Sequence, residues 1–369
     1  MANSRMNRIV AKDGVIELNG QFYLQQQDRA QSEFQHLTGE KTISQEAIRR
    51  FQNNVDLSAA YCKAAGIPYL HVVYPTKAMA FRDDFAKVGV TLSPLFSEAH
   101  RHDEVIYPLD DLVGDVDFQK RGSHCSDPGY LKIAQIALRT VGVPIDPFKP
   151  KYSTHRKAND LAHMRGLPRQ KQVRIRDFEG VTRKTRGFSN KSMIPGNSGT
   201  VKYYRNKAAP NRARILMFGD SFFADTLYIL TPLFRELILV RCPYVMEDVA
   251  NATEPDIILT GNAERYLVNV PDKMRDAPFF TKFFRPAVDA SKLSERDRDA
   301  LEALFSGRRS DHYRAWRAQS VGRGKPGAAP GTGPGSRKRA AKAAGDPFGI
   351  DRIRARLRRL RSRITRTRR

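Results

Sequence analysis

Three cysteines (Cys62, Cys125 and Cys242) and a single tryptophan are all that the 369 residues hold of those two types. An odd number of scattered thiols supplies neither a disulfide framework nor the paired spacing of a zinc site. No apolar run approaches the roughly 20 residues that a membrane-spanning helix needs. The start, MANSRMNRIVAKDG, lacks the apolar stretch of a secretory leader. No internal repeat is visible, and no metal or cofactor is expected. The expected location is cytoplasmic as written, with the tail peripheral to the inner membrane, or periplasmic if the true start lies upstream. With 40% hydrophobic and 28% charged residues, the chain can bury a sizeable core.

Acidic residues are also scarce, 39 against 64 Lys and Arg, for a net charge of +25. That excess sits in two segments. Residues 149–214 hold 18 Lys/Arg and 3 Asp/Glu, and residues 321–369 hold 16 and 2. The rest of the chain is slightly acidic. The charge therefore describes two local surfaces, and it excludes a uniformly basic nucleic-acid-coating protein.

What is present reads as α/β. Asp13–Leu24 alternates apolar and polar residues with glycines at its bends, as a hairpin does. Thr42–Ala65 has helical apolar spacing, with Ser44 as N-cap and Gly66 as its stop. Pro68–Tyr74, Arg214–Phe218, Leu237–Val240 and Asp256–Thr260 are short β-branched or aromatic runs, and Pro128–Val141 is a helix capped by Ser126 or Asp127. Strands separated by helical stretches imply βαβ units and a mainly parallel central sheet in a three-layer arrangement.

Ligands of such sheets collect at the carboxyl ends of the strands. Arg214–Phe218 runs straight into Gly219-Asp220-Ser221 and then a helix, which exposes the Ser221 hydroxyl beside a helix N-terminus. The alternative is a serine that merely caps that helix. A nucleophilic serine needs a base. His71 lies inside an apolar strand and reads as a core histidine. His124 lies in the polar loop Lys120–Gly129, just before a capped helix, where a base is well presented. Lys77 follows the first strand and faces an anionic substrate or an oxyanion, or is a solvated loop lysine.

Taken together, four stretches in order resemble the SGNH-hydrolase superfamily, in the branch of the alginate O-acetyltransferase proteins that modify bacterial exopolysaccharides. They are Asp13-Gly14 onward, Tyr69–Lys77, Gly122–Gly129, and Ile215–Phe222 followed by Pro255–Leu267 (PDIILTGNAERYL). The resemblance spans about residues 13–275. It implies an SGNH-like domain over 1–318, with Ser221 as nucleophile, His124 as base and an acetyl group held on serine before it passes to a sugar hydroxyl. It also implies two departures: the family's aspartate falls on Gly122 and its tryptophan on Cys125. Asp127 is the nearest substitute carboxylate in sequence, or else a helix cap. Asp220 ties down the turn, Asn262 is a candidate oxyanion donor, and Glu264 and Arg265 form an ion pair or, for Arg265, a substrate contact. Cys125 is a second conceivable nucleophile.

The segment 149–214 lies between base and nucleophile and is expected as a basic, partly mobile insertion whose charge draws an acidic polysaccharide to the cleft. Residues 319–349 are a Gly/Pro/Ala/basic linker expected to be disordered. Residues 350–369 space Ile and Leu by three and four among arginines, as a basic amphipathic helix for an anionic membrane surface, with nucleic acid as the other polyanion. Three functions remain open: an O-acyltransferase or esterase acting on carbohydrate, a catalytically impaired glycan-binding accessory protein of polysaccharide biosynthesis, and a nucleic-acid-associated basic protein.

Overall fold

The computed structural model describes residues 9–25, 33–191 and 197–275, together with 279, 294 and 296. The linker 319–349 and the tail helix 350–369 lie outside the described residues. In chain order the strands are β1 (Val10–Lys12), β2 (Val15–Leu18), β3 (Gln21–Leu24), β4 (Tyr69–Tyr74), β5 (Val105–Ile106), β6 (Pro150–Lys157), β7 (Gln170–Phe178), β8 (Thr185–Ser189), β9 (Val201–Asn206), β10 (Asn211–Gly219), β11 (Phe234–Val240) and β12 (Ile257–Ala263). The longer helices are α1 (Gln45–Ala65), α2 (Asp127–Thr140), α3 (Ser221–Leu230) and α4 (Glu247–Thr253).

Local chemistry sets most of these boundaries. The turns Asp13-Gly14 and Asn19-Gly20 have positive φ at both residues, the geometry of tight hairpin turns, so the amino-terminal hairpin is a three-stranded meander, β1-β2-β3. In α1 the Ser44 hydroxyl accepts from the Ala47 N–H at 3.1 Å, and Gly66 closes the helix at φ 68°. Ala47, Phe51, Asn54, Val55, Ser58 and Cys62 make up its buried stripe. Ser126, not Asp127, caps α2, accepting from the Gly129 N–H.

Seven strands form the main sheet in the order β5-β4-β12-β10-β11-β9-β8. β5, β4, β12, β10 and β11 pair in parallel, and β9 and β8 add antiparallel beyond β11. The expected mainly parallel sheet is thus a mixed one. Its antiparallel end comes from within the segment read as an insertion, where basic residues such as Arg186, Lys202 and Arg205 stand among apolar ones such as Phe188 and Tyr203 and mask the strand pattern. The same segment forms a separate two-stranded ribbon, β6-β7.

Central strands are buried on both faces, which is why RILMF and ELILV read as continuous apolar runs. Ile215, Met217, Leu237, Leu239, Ile257 and Leu259 join one cluster with α2 and α3. Leu216, Phe218, Ile238, Val240 and Ile258 join another with Val249 and Ala250 of α4. Each such side chain contributes about 1.5–3 kcal/mol by leaving water. At the carboxyl edge, Gly219 of β10 pairs with Gly261 of β12. A Cβ on Gly261 would lie 2.1 Å from the Phe223 ring and 2.5 Å from the Val72 carbonyl oxygen. Only glycine lets α3 start so close to the sheet, and this fixes where Ser221 sits.

Candidate active site

Ser221 is the first residue of α3, directly after β10. Asp220 ties this turn in place: Oδ1 accepts from the Phe222 N–H at 2.9 Å and Oδ2 from the Ala263 N–H at 2.8 Å, linking the turn to the end of β12. Both carboxylate oxygens of Asp220 are thus engaged by backbone N–H groups. The helix N-terminus at Ser221 favours negative charge developing nearby.

Across 97 residues of sequence, the fold brings His124 to Ser221, with Nε2 3.5 Å from Oγ. The imidazole stacks on Phe222, ring centroids 4.3 Å apart at 17°. Its Nδ1 lies 3.0 Å from Asp225 Oδ2 and 2.8 Å from the Tyr130 hydroxyl. A carboxylate only accepts, so the charge-assisted arrangement has Nδ1–H donating to Asp225, with the Tyr130 oxygen sharing that proton. Nε2 is then left as a lone pair facing Ser221. Burial alone would raise the Asp225 carboxyl. The hydrogen bond and charge of His124, with the ammonium groups of Lys157 and Lys202, outweigh burial and hold it below its ordinary value. Burial pushes the Tyr130 hydroxyl far above its usual value, so it stays protonated.

Asp127 is not at the imidazole. Its Oδ2 accepts from the Ile175 N–H at 2.8 Å and pins β7 to the start of α2. Sequence proximity misleads because residues 124 and 127 lie on either side of the helix cap. The carboxylate comes instead from Asp225, four residues past Ser221 and so on the same helical face, a spacing the sequence does carry. Tyr130 has the weaker signal of lying six residues beyond the base, in the first turns of α2. At Gly122 a Cβ would stand 2.5 Å from Gln119 Oε1 and 3.1 Å from Asp160 Oδ1. That space is taken by Gln119 and by Asp160, whose carboxylate takes both the Ser123 N–H and the Ser123 hydroxyl.

Lys77 faces neither substrate nor solvent. It is buried, and its ammonium donates to the carbonyls of Phe22 at 2.9 Å, Gln119 at 2.6 Å and Lys120 at 2.9 Å. Burial pulls it down to about 7. It clamps the loop that carries His124 onto β3. Asn262 has its Oδ1 on His71 Nε2 at 3.0 Å and donates from Nδ2 to the Ala263 carbonyl at 2.9 Å. His71 is the satisfied core histidine expected, its other nitrogen 2.8 Å from Thr260 Oγ1. Glu264 and Arg265 are engaged separately. Glu264 accepts from the backbone N–H groups of Thr76, Leu95 and Phe96. The Arg265 guanidinium lies over Phe222 at 5.3 Å and Tyr266 at 5.2 Å, on the ring that also carries His124. Cys125 is fully buried and its thiol is raised far above its ordinary value by burial, which removes it as a nucleophile.

A cavity of about 390 Å³ opens at the carboxyl edge beside Asp220 and Asn262, lined also by Arg241, Tyr244 and Tyr266. Among the described residues, no group of three His, Cys, Asp or Glu could hold a metal ion, and no helix is long and apolar enough to cross a membrane.

Neither a protein-family model nor a curated protein matches the chain. Among solved structures it is similar to a DHHW family protein from Eubacterium siraeum, at 10% identity and a TM-score of 0.46 over 71% of this chain and 94% of that one. It is also similar to PatB1 of Bacillus cereus, at 12% identity and a TM-score of 0.42 over 70% and 95%. The O-acetyltransferase domain of Pseudomonas putida AlgJ matches at 12% identity and a TM-score of 0.41 over 74% and 98%.

Proposed function

We propose that the protein is a serine-dependent acyl-transfer enzyme that moves an acetyl group to or from a carbohydrate hydroxyl, with an acidic polysaccharide as the preferred carbohydrate. The observation that carries the chemistry is the hydrogen-bonded series Ser221–His124–Asp225 at the carboxyl edge of the sheet. The carbohydrate and the acetyl group rest on the motif resemblance, and the acidic preference on the charge of residues 149–214.

In this reading the Ser221 oxygen attacks the acyl carbonyl while His124 Nε2 takes the hydroxyl proton. Asp225 stabilises the resulting imidazolium, and the N-terminus of α3 faces the oxyanion. Collapse of the tetrahedral intermediate breaks the bond to the donor alcohol, which leaves with the proton from His124. An incoming sugar hydroxyl, or water, then gives its proton to Nε2 and attacks the acyl-serine; as the bond to Oγ breaks, the imidazolium hands that proton back to Ser221. The 3.5 Å separation of Oγ and Nε2 is at the long end for such a pair, and catalytic contacts of this kind tighten when substrate binds. The impaired-site reading drew its support from glycine at position 122, and the Asp225 contact weakens it.

Ser221→Ala is the direct test. With p-nitrophenyl acetate, the wild type is expected to release p-nitrophenol and to show an acetyl adduct on the peptide containing Ser221 by mass spectrometry. Ser221→Ala is expected to show neither. Equal turnover by the two proteins would overturn the mechanism.

A further inference from the structure

The ribbon β6-β7 has a job that the fold does not explain. Six of its side chains, Lys151, Arg156, Lys157, Lys171, Arg174 and Arg176, are exposed cations. Its single acid, Asp177, is turned onto the Phe178 N–H. Arg156 and Lys171 stand directly opposite each other in the antiparallel register. Like charges in that position destabilise a strand pair. A ribbon selected only for stability would carry opposite charges there, so the repulsion points to an anionic partner that relieves it.

The ribbon is also anchored at the candidate active site. Asp127 holds the Ile175 N–H against the start of α2. Lys157 Nζ comes within 4.0 Å of Asp225 Oδ1, the carboxylate that serves His124. Tyr152 and Val173 lie among the cations, 54% and 48% exposed, and give an apolar platform of the kind on which a sugar ring rests.

We infer that the exposed face of β6-β7 is a docking track for an acidic glycan chain. The carboxylates of the chain would pair with Arg156 and Lys171, which share one face of the ribbon with Tyr152 and Val173, while one of its hydroxyls reaches Ser221 past Lys157 at the end of β6. The delivery of that hydroxyl rests on the acyl-transfer reading, but the binding surface does not.

Binding is therefore measured without turnover. Isothermal titration of the full chain with an oligogalacturonate is expected to show binding that weakens with added salt, with no binding to a neutral cello-oligosaccharide. The pair Arg156→Gln and Lys171→Gln is expected to lower affinity at least about threefold. Lys171→Glu keeps the result interpretable should the double variant fold poorly. It replaces the repulsion with a cross-strand ion pair, so the melting temperature should rise while affinity falls. Wild-type affinity in either variant, or tighter binding of duplex DNA than of the oligogalacturonate, overturns the track. Ser221→Ala should bind the oligogalacturonate as the wild type does, so loss of the acyl-transfer reading and loss of the track are separate results.

Discussion

Replacing Asp225 with asparagine tests the least expected part of the site. The side chain keeps its shape, so folding should be spared, but the charge facing His124 disappears. When Nε2 takes the serine proton, the ring becomes a cation 3.0 Å from Asp225 Oδ2, with side-chain exposures of 17% and 26% for the two groups. At an effective dielectric constant of about 20, that contact is worth about 5–6 kcal/mol. Lys157, 4.0 Å from the other carboxylate oxygen, offsets part of it. Asparagine can also turn its amide N–H toward Nδ1, which drives the proton to Nε2 and removes the base. About 5 kcal/mol corresponds to a loss of between 10³ and 10⁴ in kcat, the range expected when a triad loses its orienting carboxylate. The assay is p-nitrophenyl acetate turnover for the wild type, Asp225→Asn, Asp127→Asn and Ser221→Ala, with circular dichroism as the folding control. Asp127→Asn should stay near the wild-type kcat, because its carboxylate bonds the Ile175 N–H and not the imidazole. Turnover by folded Asp225→Asn within about tenfold of the wild type, or an equal loss in Asp127→Asn, would refute the assignment.

Two further predictions concern the frame around the site. Gly261→Ala forces a methyl group to within 2.1 Å of the Phe223 ring, so it should cost at least the 1–3 kcal/mol typical of overpacking and lower the melting temperature; an unchanged midpoint would contradict the close approach of α3. Lys77→Met strips the donors from three backbone carbonyls and should lower both stability and kcat. With native Lys77 at about 7 and the unfolded chain at its ordinary 10.5, the unfolded state holds the extra proton in between. This group's contribution to wild-type stability therefore rises with pH from about 7 toward 10.5 and is absent below that window. Denaturant titrations should show the stability gap between wild type and Lys77→Met widening across it, and a constant gap would reject the lowered Lys77 value.

Where a local rule was sufficient, the sequence disclosed the structure. Ser44 and Gly66 bound α1 because capping is a property of a few adjacent residues. The turn into Ser221 followed from an apolar run ending in a small polar tripeptide. The strands of residues 185–206 are hidden because buried Phe188 and Tyr203 stand among cations that are exposed or half-buried, at the edge of a sheet assembled from distant segments. Lys77 was misread for a related reason: nothing local distinguishes a solvated lysine from one whose ammonium meets three carbonyls drawn from β3 and the 119–120 loop.

The placement of Asp225 has a mechanical consequence. Nucleophile and carboxylate sit one turn apart on α3, so their separation is set by the geometry of a single helix whose start Asp220 ties to β12. His124 is the one member delivered by a loop. It is wedged between the two by its stack on Phe222, while the preceding residues are held by Lys77. Alignment of the three groups therefore depends on that loop alone. A disturbance at Lys77 should move the imidazole relative to both partners together, lowering kcat more than it raises KM, whereas a change in the β6-β7 ribbon should act on the binding of an acidic acceptor first.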